Sequence, residues 1–578
     1  MSEQRNAKSS AVQAGAFVKD LLQAYEKMPM GIRRYALTVL APAVGCFLLF
    51  LVGSIFLPLQ LLVRVPVFLF GALVLGAAVL YPRLRIEQVR TGLERQLHLF
   101  ITHMTVLSTT NIDRIEVFRT LAREEEYDEL AVEVNRVAQL VDTWNQSLDE
   151  ACQRRAREVP SKPLGDFLDR LAYSLNAGQD IGDFLLGEQS AMIRKYVTVY
   201  ESVLGNLEVM KDLYVSMILS MTFGIVNAIV LPILTGTDAT VTISAVIVLF
   251  VFVQLGFFYV IRTMAPYDPL WYQQEEYRTK ADRQIDMTLY GAFVVSMLLI
   301  GLIAGGWLGW FGLGFGQFIL DVPIPILLAA PLTPLAVPGL VARRHENRIK
   351  ERDEEYPGFI RALGASETAK QSTTTEVLQT LREKDFGILT TDIERLYTRL
   401  RMRIEPERAW FYFTAESSSF LIQKFSEMYL MGRQMGGEPK QLGELISRNM
   451  SQVNQLRRQR KQATVTLIGV LYGITASASF AFFIGLGVVE VLAKLSTQMN
   501  VGQLDFGTFI YASAYNIPLI EYLLTLIILF NALLSSLMIR QVDGGHNVNA
   551  YLHFVLLTWI GCVLAVATTH LTEALISV

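Results

Sequence analysis

Nine apolar runs of about 20 residues, the length that crosses a hydrocarbon core, punctuate this chain. They lie at about 37–57, 62–81, 213–234, 241–262, 287–306, 319–341, 464–492, 517–539 and 553–576. Inside lipid every backbone N–H and C=O needs an internal partner, so unbroken apolar runs of this length specify helices. Two long polar blocks, 82–212 and 342–462, interrupt them. With 52% apolar and 18% charged residues, the chain is too apolar for a soluble protein and too charged for membrane helices alone. The expectation is an all-α polytopic membrane protein with about nine transmembrane helices and two cytoplasmic helical bundles.

Lysine and arginine mark the cytosolic side of a membrane protein. Arg33, Arg34, Arg83, Arg85, Lys211, Arg262, Arg278, Arg343, Arg344, Arg457, Arg458, Lys461 and Arg540 share one side if the N-terminus is inside. The other side keeps Lys494 and Arg64. The predicted order is a cytoplasmic amphipathic segment at 1–35, spans 1–2 in 36–81, a helical domain at 82–212 and spans 3–4 in 213–262. A cytoplasmic linker at 263–286, spans 5–6 in 287–341, a second helical domain at 342–462 and spans 7–8 in 463–540 follow. A cytoplasmic turn and span 9 complete it in 541–578, with the C-terminus outside. The apolar run near Ala36 is too long and too far from the start for a cleavable signal peptide. In span 6, Pro323, Pro325, Pro331, Pro334 and Pro338 predict a kinked or broken helix.

Four spans per unit is an even number, so a duplicated unit re-enters the membrane in the same orientation, a parallel duplication. Short echoes support it. Phe100-Ile101 matches Phe359-Ile360, Glu116–Leu121 matches Glu376–Leu381, and Ile181–Leu185 matches Leu442–Ile446, at nearly constant offset. Gly178 and the pair Gly436-Gly437 follow amphipathic runs and precede new ones, where helix ends need positive φ. The blocks differ in charge: 82–212 has 16 Lys+Arg against 22 Asp+Glu, net −6, and 342–462 has 22 against 17, net +5.

No phosphate loop, dinucleotide fingerprint or HExxH spacing occurs. Cys46, Cys152 and Cys562 lie far apart with no CxxC. Neither an enzyme nor a bound cofactor or metal is expected. Asn227, Gln254 and Asn531 are polar near mid-membrane, where bonds between helices account for them as well as a transport path does. A secondary transporter is the alternative from another class, and it lacks both a midplane site and inverted repeats. Arg395, Arg399, Arg401, Arg403 and Arg408 crowd one short helical stretch. They form a candidate docking surface for an acidic protein, although a solvated helix face is the plain account. Nucleic acid is not called for.

Paired spans around a helical block carrying Ala177-Gly178 and Ile181-Gly-Asp-Phe-Leu185, the same frame again, and Asp543-Gly-Gly545 before the last span resemble the type II/type IV pilus secretion F-domain family of membrane platform proteins. The likeness is greatest to the archaeal branch that serves the archaellum. It implies a non-catalytic platform in the cell membrane. Its partners would be a cytoplasmic hexameric secretion ATPase, pilin-like or archaellin subunits and membrane lipid; a homodimer is expected because two-fold symmetry is compatible with a six-fold ATPase. The five arginines would then dock the ATPase. The platform of an archaeal adhesion pilus or a type II secretion-like system is the alternative within the family.

Overall fold

All the apolar runs that the structure describes are helical. The structure is a computed structural model and describes residues 35–56, 75, 78–79, 81–82, 85–110, 112–272, 277–307, 322–498 and 516–576. The helices used below are α1 (Ala41–Phe56), α2 (Leu97–Ser108), α3 (Arg114–Arg123), α4 (Glu129–Asp142), α5 (Leu148–Glu158), α6 (Lys162–Asn176), α7 (Ile181–Val230), α8 (Ala239–Met264) and α9 (Lys280–Trp307). They continue with α10 (Ile324–Ala329), α11 (Ala336–Lys370), α12 (Thr374–Leu381), α13 (Leu389–Arg401), α14 (Pro406–Ser417), α15 (Phe420–Gln434), α16 (Pro439–Gln498), α17 (Ile517–Asp543) and α18 (Asn549–Ile576). The described residues contain no strand, and one isolated bridge pairs Trp271 with Ser419.

Seven helices among the described residues are long and apolar enough to cross a membrane. They are α7, α8, α9, the α10–α11 run, α16, α17 and α18, and they carry seven of the nine expected spans. The first expected span falls on the shorter α1. The second lies almost wholly outside the described residues, as does the amphipathic segment 1–35. A hydrocarbon core takes about 20 residues, so in α10–α11 the apolar part before Ala342 can span and the charged remainder extends beyond it. Proline breaks this run as expected. Pro331 and Pro334 lack the N–H that an α-helix needs, and Ala330–Leu335 tightens into a 3-10 turn. The Trp559 indole Nε1 donates to Thr333 Oγ1 at 3.0 Å, fixing the turn to α18.

The chain divides into two compact units, Met1–Met192 and Ile193–Val578. In the first, α2 to α6 and the start of α7 enclose Phe100, Phe118, Leu130, Phe167, Leu171 and Leu185, all buried. Gly182 permits α7 to start against α2, because a Cβ there would lie 3.3 Å from Ser108 O. Thr105 Oγ1 donates to Leu185 O at 3.3 Å across the same joint.

In the second unit, Tyr214, Ile225, Phe250, Leu471, Phe482 and Ile528 belong to one apolar core between α7, α8, α16 and α17. At its centre Gln254 Nε2 donates to Asn531 Oδ1 at 2.5 Å, and Asn531 Nδ2 donates to Thr475 Oγ1 at 3.1 Å. Three helices thus share one polar bridge. Asn227 instead donates to Phe223 O of its own helix at 2.9 Å.

Candidate coupling site

The arginine-rich stretch is the end of α13. Arg399 and Arg401 sit in its last turn, where a cation complements the helix dipole. Arg403 N donates to Leu400 O and Ile404 N to Arg399 O, closing the helix in a Schellman motif. Arg403 takes the left-handed position, φ +58. One arginine of the set turns inward, and a second stays exposed while pairing with the neighbouring helix. Arg399 Nη2 donates to Glu416 Oε1 at 2.5 Å, and its guanidinium lies over the Tyr412 ring. Arg395 stands 3.6 Å from Glu416 and 3.7 Å from Asp392. Arg401, Arg403 and Arg408 remain exposed, and exposed Glu405 stands 3.9 Å from Arg408. The structure therefore separates inward-turned Arg399 and exposed but ion-paired Arg395 from the outward trio Arg401, Arg403 and Arg408.

The glycine turns close their helices in the same way. Gly178 N and Gln179 N donate to Leu175 O and Ser174 O, and Gly436 N and Gly437 N to Arg433 O and Gly432 O. Gly178 has φ +71 and Gly436 φ +84, the left-handed position that glycine takes without steric cost. Gly437 contributes its N–H and is not in the left-handed region.

Beyond its apolar part, α11 buries Ala342, Glu346, Ile349, Asp353, Tyr356, Ile360, Leu363 and Glu367. Alternating steps of four and three make this a coiled-coil stripe, but with three carboxylates in core positions. The stripe packs against α16 running the other way. Gly364 meets Gly443 and Pro439 at the far end, Asp353 meets Arg457 midway, and Arg460 lies at the near end beside the 541–545 turn. From 346 to 364 this antiparallel stalk is about 27 Å long at 1.5 Å per residue. At its far end Tyr429 Oη and Arg433 Nε both donate to Glu367 Oε2 at 3.0 Å, and Arg433 Nη1 donates to Gly437 O. The Gly436-Gly437 turn is thereby tied to the stalk.

Two of the three buried carboxylates pair with a cation, Asp353 with Arg457 of α16 and Glu367 with Arg433 of α15. Arg457 Nε and Nη2 donate to the two oxygens of Asp268 at 2.8 and 2.6 Å, and Nη1 donates to Asp353 Oδ2 at 2.6 Å. Ser419 Oγ donates to Asp353 Oδ1 and accepts from Ile422 N, so the cap of α15 belongs to the same network. Tyr272 N donates to Ser418 O and Phe420 N to Leu270 O, pairing the linker with that cap. Two carboxylates share one guanidinium here. Burial, reinforced by Asp268 against the pull of Arg457 and Ser419, pushes the Asp353 carboxyl up to about 6. Arg352 Nε donates to Asp392 at 2.8 Å, and burial holds that carboxyl above its ordinary range despite Arg352.

The Asp543-Gly-Gly545 turn completes the site at the near end. The Glu346 carboxylate accepts from His546 N at 2.5 Å, Asn549 Nδ2 at 2.9 Å and Trp271 Nε1 at 3.4 Å. A Cβ at Gly545 would lie under 3.0 Å from this carboxylate, and one at Gly544 2.7 Å from the Arg460 guanidinium. Arg460 Nε donates to Val542 O at 2.6 Å, and Lys350 stands 3.6 Å from Asp543. Linker, stalk, α15 cap and final turn thus form one ionic junction where polar helices continue into apolar ones. Its acidic and basic side chains are spent on one another, Asp268 and Asp353 on Arg457, and what the arrangement can do is hold these segments to one another.

Residues 100–227 match the family described as Type II secretion system (T2SS), protein F. Flagella accessory protein J of Methanocaldococcus jannaschii is 32% identical over 550 residues, 94% of this chain and 96% of the relative. Flagella accessory protein J of Methanococcus voltae is 32% identical over 549 residues, again 94% and 96%. This chain belongs to the flagella accessory protein J family. No solved structure matches it. Members of this family are non-catalytic, multi-pass membrane platform proteins of the type II secretion F-domain group, of archaellum or pilus type.

In this flagella accessory protein J relative, sequence reasoning found the exposed arginines and the Asp543-Gly-Gly545 turn. It missed Asp268, Glu346, Asp353, Arg457 and Arg460. One local signal was available, carboxylates at 346, 353 and 367 within an otherwise apolar stripe, since a charge in a core position needs a partner.

Proposed function

We propose that this protein is the archaellum platform on which a hexameric secretion-type ATPase docks and through which the ATPase cycle reaches archaellin subunits in the membrane. In this reading the N-terminus and both polar blocks face the cytosol, which the lysine and arginine distribution supports. The outward trio Arg401, Arg403 and Arg408 supplies the ATPase contact. One observation carries this assignment. Arg403 occupies a left-handed position, φ +58, that favours glycine, and a strained non-glycine residue on an exposed loop points to use of its side chain. The antiparallel stalk then carries a displacement of the docked loop region toward the membrane. A homodimer fits beneath a six-fold motor because two-fold and six-fold axes are compatible.

The division at 82–212 and 342–462 is one unit repeated. Gly182 packs on α2, the helix that carries Phe100-Ile101, and Gly443 packs on α11, the helix that carries Phe359-Ile360, a correspondence of helices that supports this reading. A deletion strain tests the function. Loss of swimming and surface filaments with adhesion intact is expected, whereas loss of adhesion with normal swimming would reassign the platform to an adhesion pilus.

A further inference from the structure

A second feature of the 193–578 unit is unused by the coupling site. A cavity of about 290 Å³ lies between α7, α8, α16 and the end of α17. Apolar lining from Leu207, Ile261 and Leu467 meets the polar Glu208, Lys211 and Gln459. The lining residues lie where apolar runs begin or end. Lys211 precedes the run at 213, Leu467 opens the run from 464, and Ile261 adjoins Arg262. The cavity is thus at the level of the inner membrane surface.

Its lining holds two polar groups that the protein leaves underused. The Lys211 side chain is 13% exposed, and its ammonium lies 3.4 Å from Asp212 and 3.9 Å from Glu208, both solvent-facing carboxylates. No hydrogen bond reaches its Nζ among the described residues. Gln459 donates through Nε2 to Glu201 at 3.2 Å, but its Oε1 is buried and accepts from nothing among the described residues. A buried acceptor without a donor calls for one. A water-sized group takes about 30 Å³, so the space suits roughly ten such groups, the scale of a glycerophosphate head with the first methylenes of a chain.

We infer that the cavity binds one membrane phospholipid. Its phosphate meets Lys211, a headgroup hydroxyl or ammonium donates to Gln459 Oε1, and its upper chain lies on Leu207, Ile261 and Leu467. Such a lipid ties α7 and α8 to α16 just inside the membrane from the stalk. The inference stands apart from the ATPase reading.

Thermal unfolding of the purified full chain in detergent tests it, with added phosphatidylglycerol, phosphatidylethanolamine, phosphatidylcholine or glycerol 3-phosphate. Phosphatidylglycerol and phosphatidylethanolamine, which carry both a phosphate and a donor, are expected to raise Tm at concentrations at least tenfold below those phosphatidylcholine needs. Glycerol 3-phosphate, lacking chains, should leave Tm unchanged. Gly205 lines the cavity and a Cβ there meets nothing within 4 Å, so Gly205→Leu starts a bulky side chain in open space and, by occupying the cavity, should abolish the response. Lys211→Gln should weaken it at least tenfold. Equal responses to phosphatidylcholine, a matching response to glycerol 3-phosphate, or an unchanged response in both variants would overturn the assignment.

Discussion

Arg457 donates to Asp353 at 2.6 Å across the seam of two antiparallel helices, with side chains 14% and 2% exposed. The same guanidinium holds Asp268. Removing the cation leaves two buried carboxylates facing each other, and breaking a buried pair by deleting one partner costs about 3–5 kcal/mol. Arg457→Met should destabilise the protein by that amount in chemical unfolding. Asp353→Leu placed in the same chain should restore part of it, because an apolar pair leaves less charge unmatched.

The same site sets a pH dependence. The Asp353 carboxyl is raised from an ordinary 3.8 to about 6, so the folded state binds this proton more tightly than the unfolded one. Its stabilising contribution is complete below about pH 4 and is lost as pH rises through about 6. Two pKa units correspond to about 3 kcal/mol. Unfolding free energies of the native protein and Asp353→Asn should therefore differ by about that much more at pH 4 than at pH 7. Parallel profiles would show that Asp353 is not the titrating group.

Glycine marks where the stalk helices cross. A Cβ at Gly364 would lie under 3.0 Å from Pro439 O, and one at Gly443 2.7 Å from Ile360 O. Both obstacles are backbone and cannot rotate away. Gly364→Ala and Gly443→Ala should each destabilise by about 1–3 kcal/mol, the usual cost of overpacking. Gly358 lies on the exposed side of the same helix with nothing within 4 Å. Gly358→Ala should stabilise by about 0.5–1 kcal/mol through helix propensity, as thermal unfolding would read.

The helices and the break in α10–α11 were legible because their signals are local: apolar runs and prolines that remove backbone donors. Gly178 and Gly436 were legible for the same reason, since a helix that ends before a new one leaves a left-handed position to fill. The ionic junction was not. Asp268 and Arg457 are 189 residues apart, and no periodicity within either segment identifies the other. The arginine set misled in one respect. Spacing along α13 groups Arg395 and Arg399 with the outer residues, but Glu416 and Tyr412 on α14 draw Arg399 inward, a choice made by tertiary packing.

Asn531 links three helices, accepting from Gln254 and donating to Thr475. Polar contacts between membrane helices contribute about 0.6 kcal/mol each and at most about 1.7. Asn531→Leu should thus cost about 1–2 kcal/mol in detergent unfolding, and Gln254→Leu in the same chain should add less than it costs alone.

The docking surface offers the most direct test of the account. Arg401→Glu, Arg403→Glu and Arg408→Glu together reverse an exposed trio whose side chains tie no two helices together among the described residues, so membrane levels of the full chain should be unchanged. Co-purification of the ATPase with this triple variant is the measurement. The account predicts loss of the ATPase from the purified complex, whereas recovery of the ATPase in native amounts would contradict it.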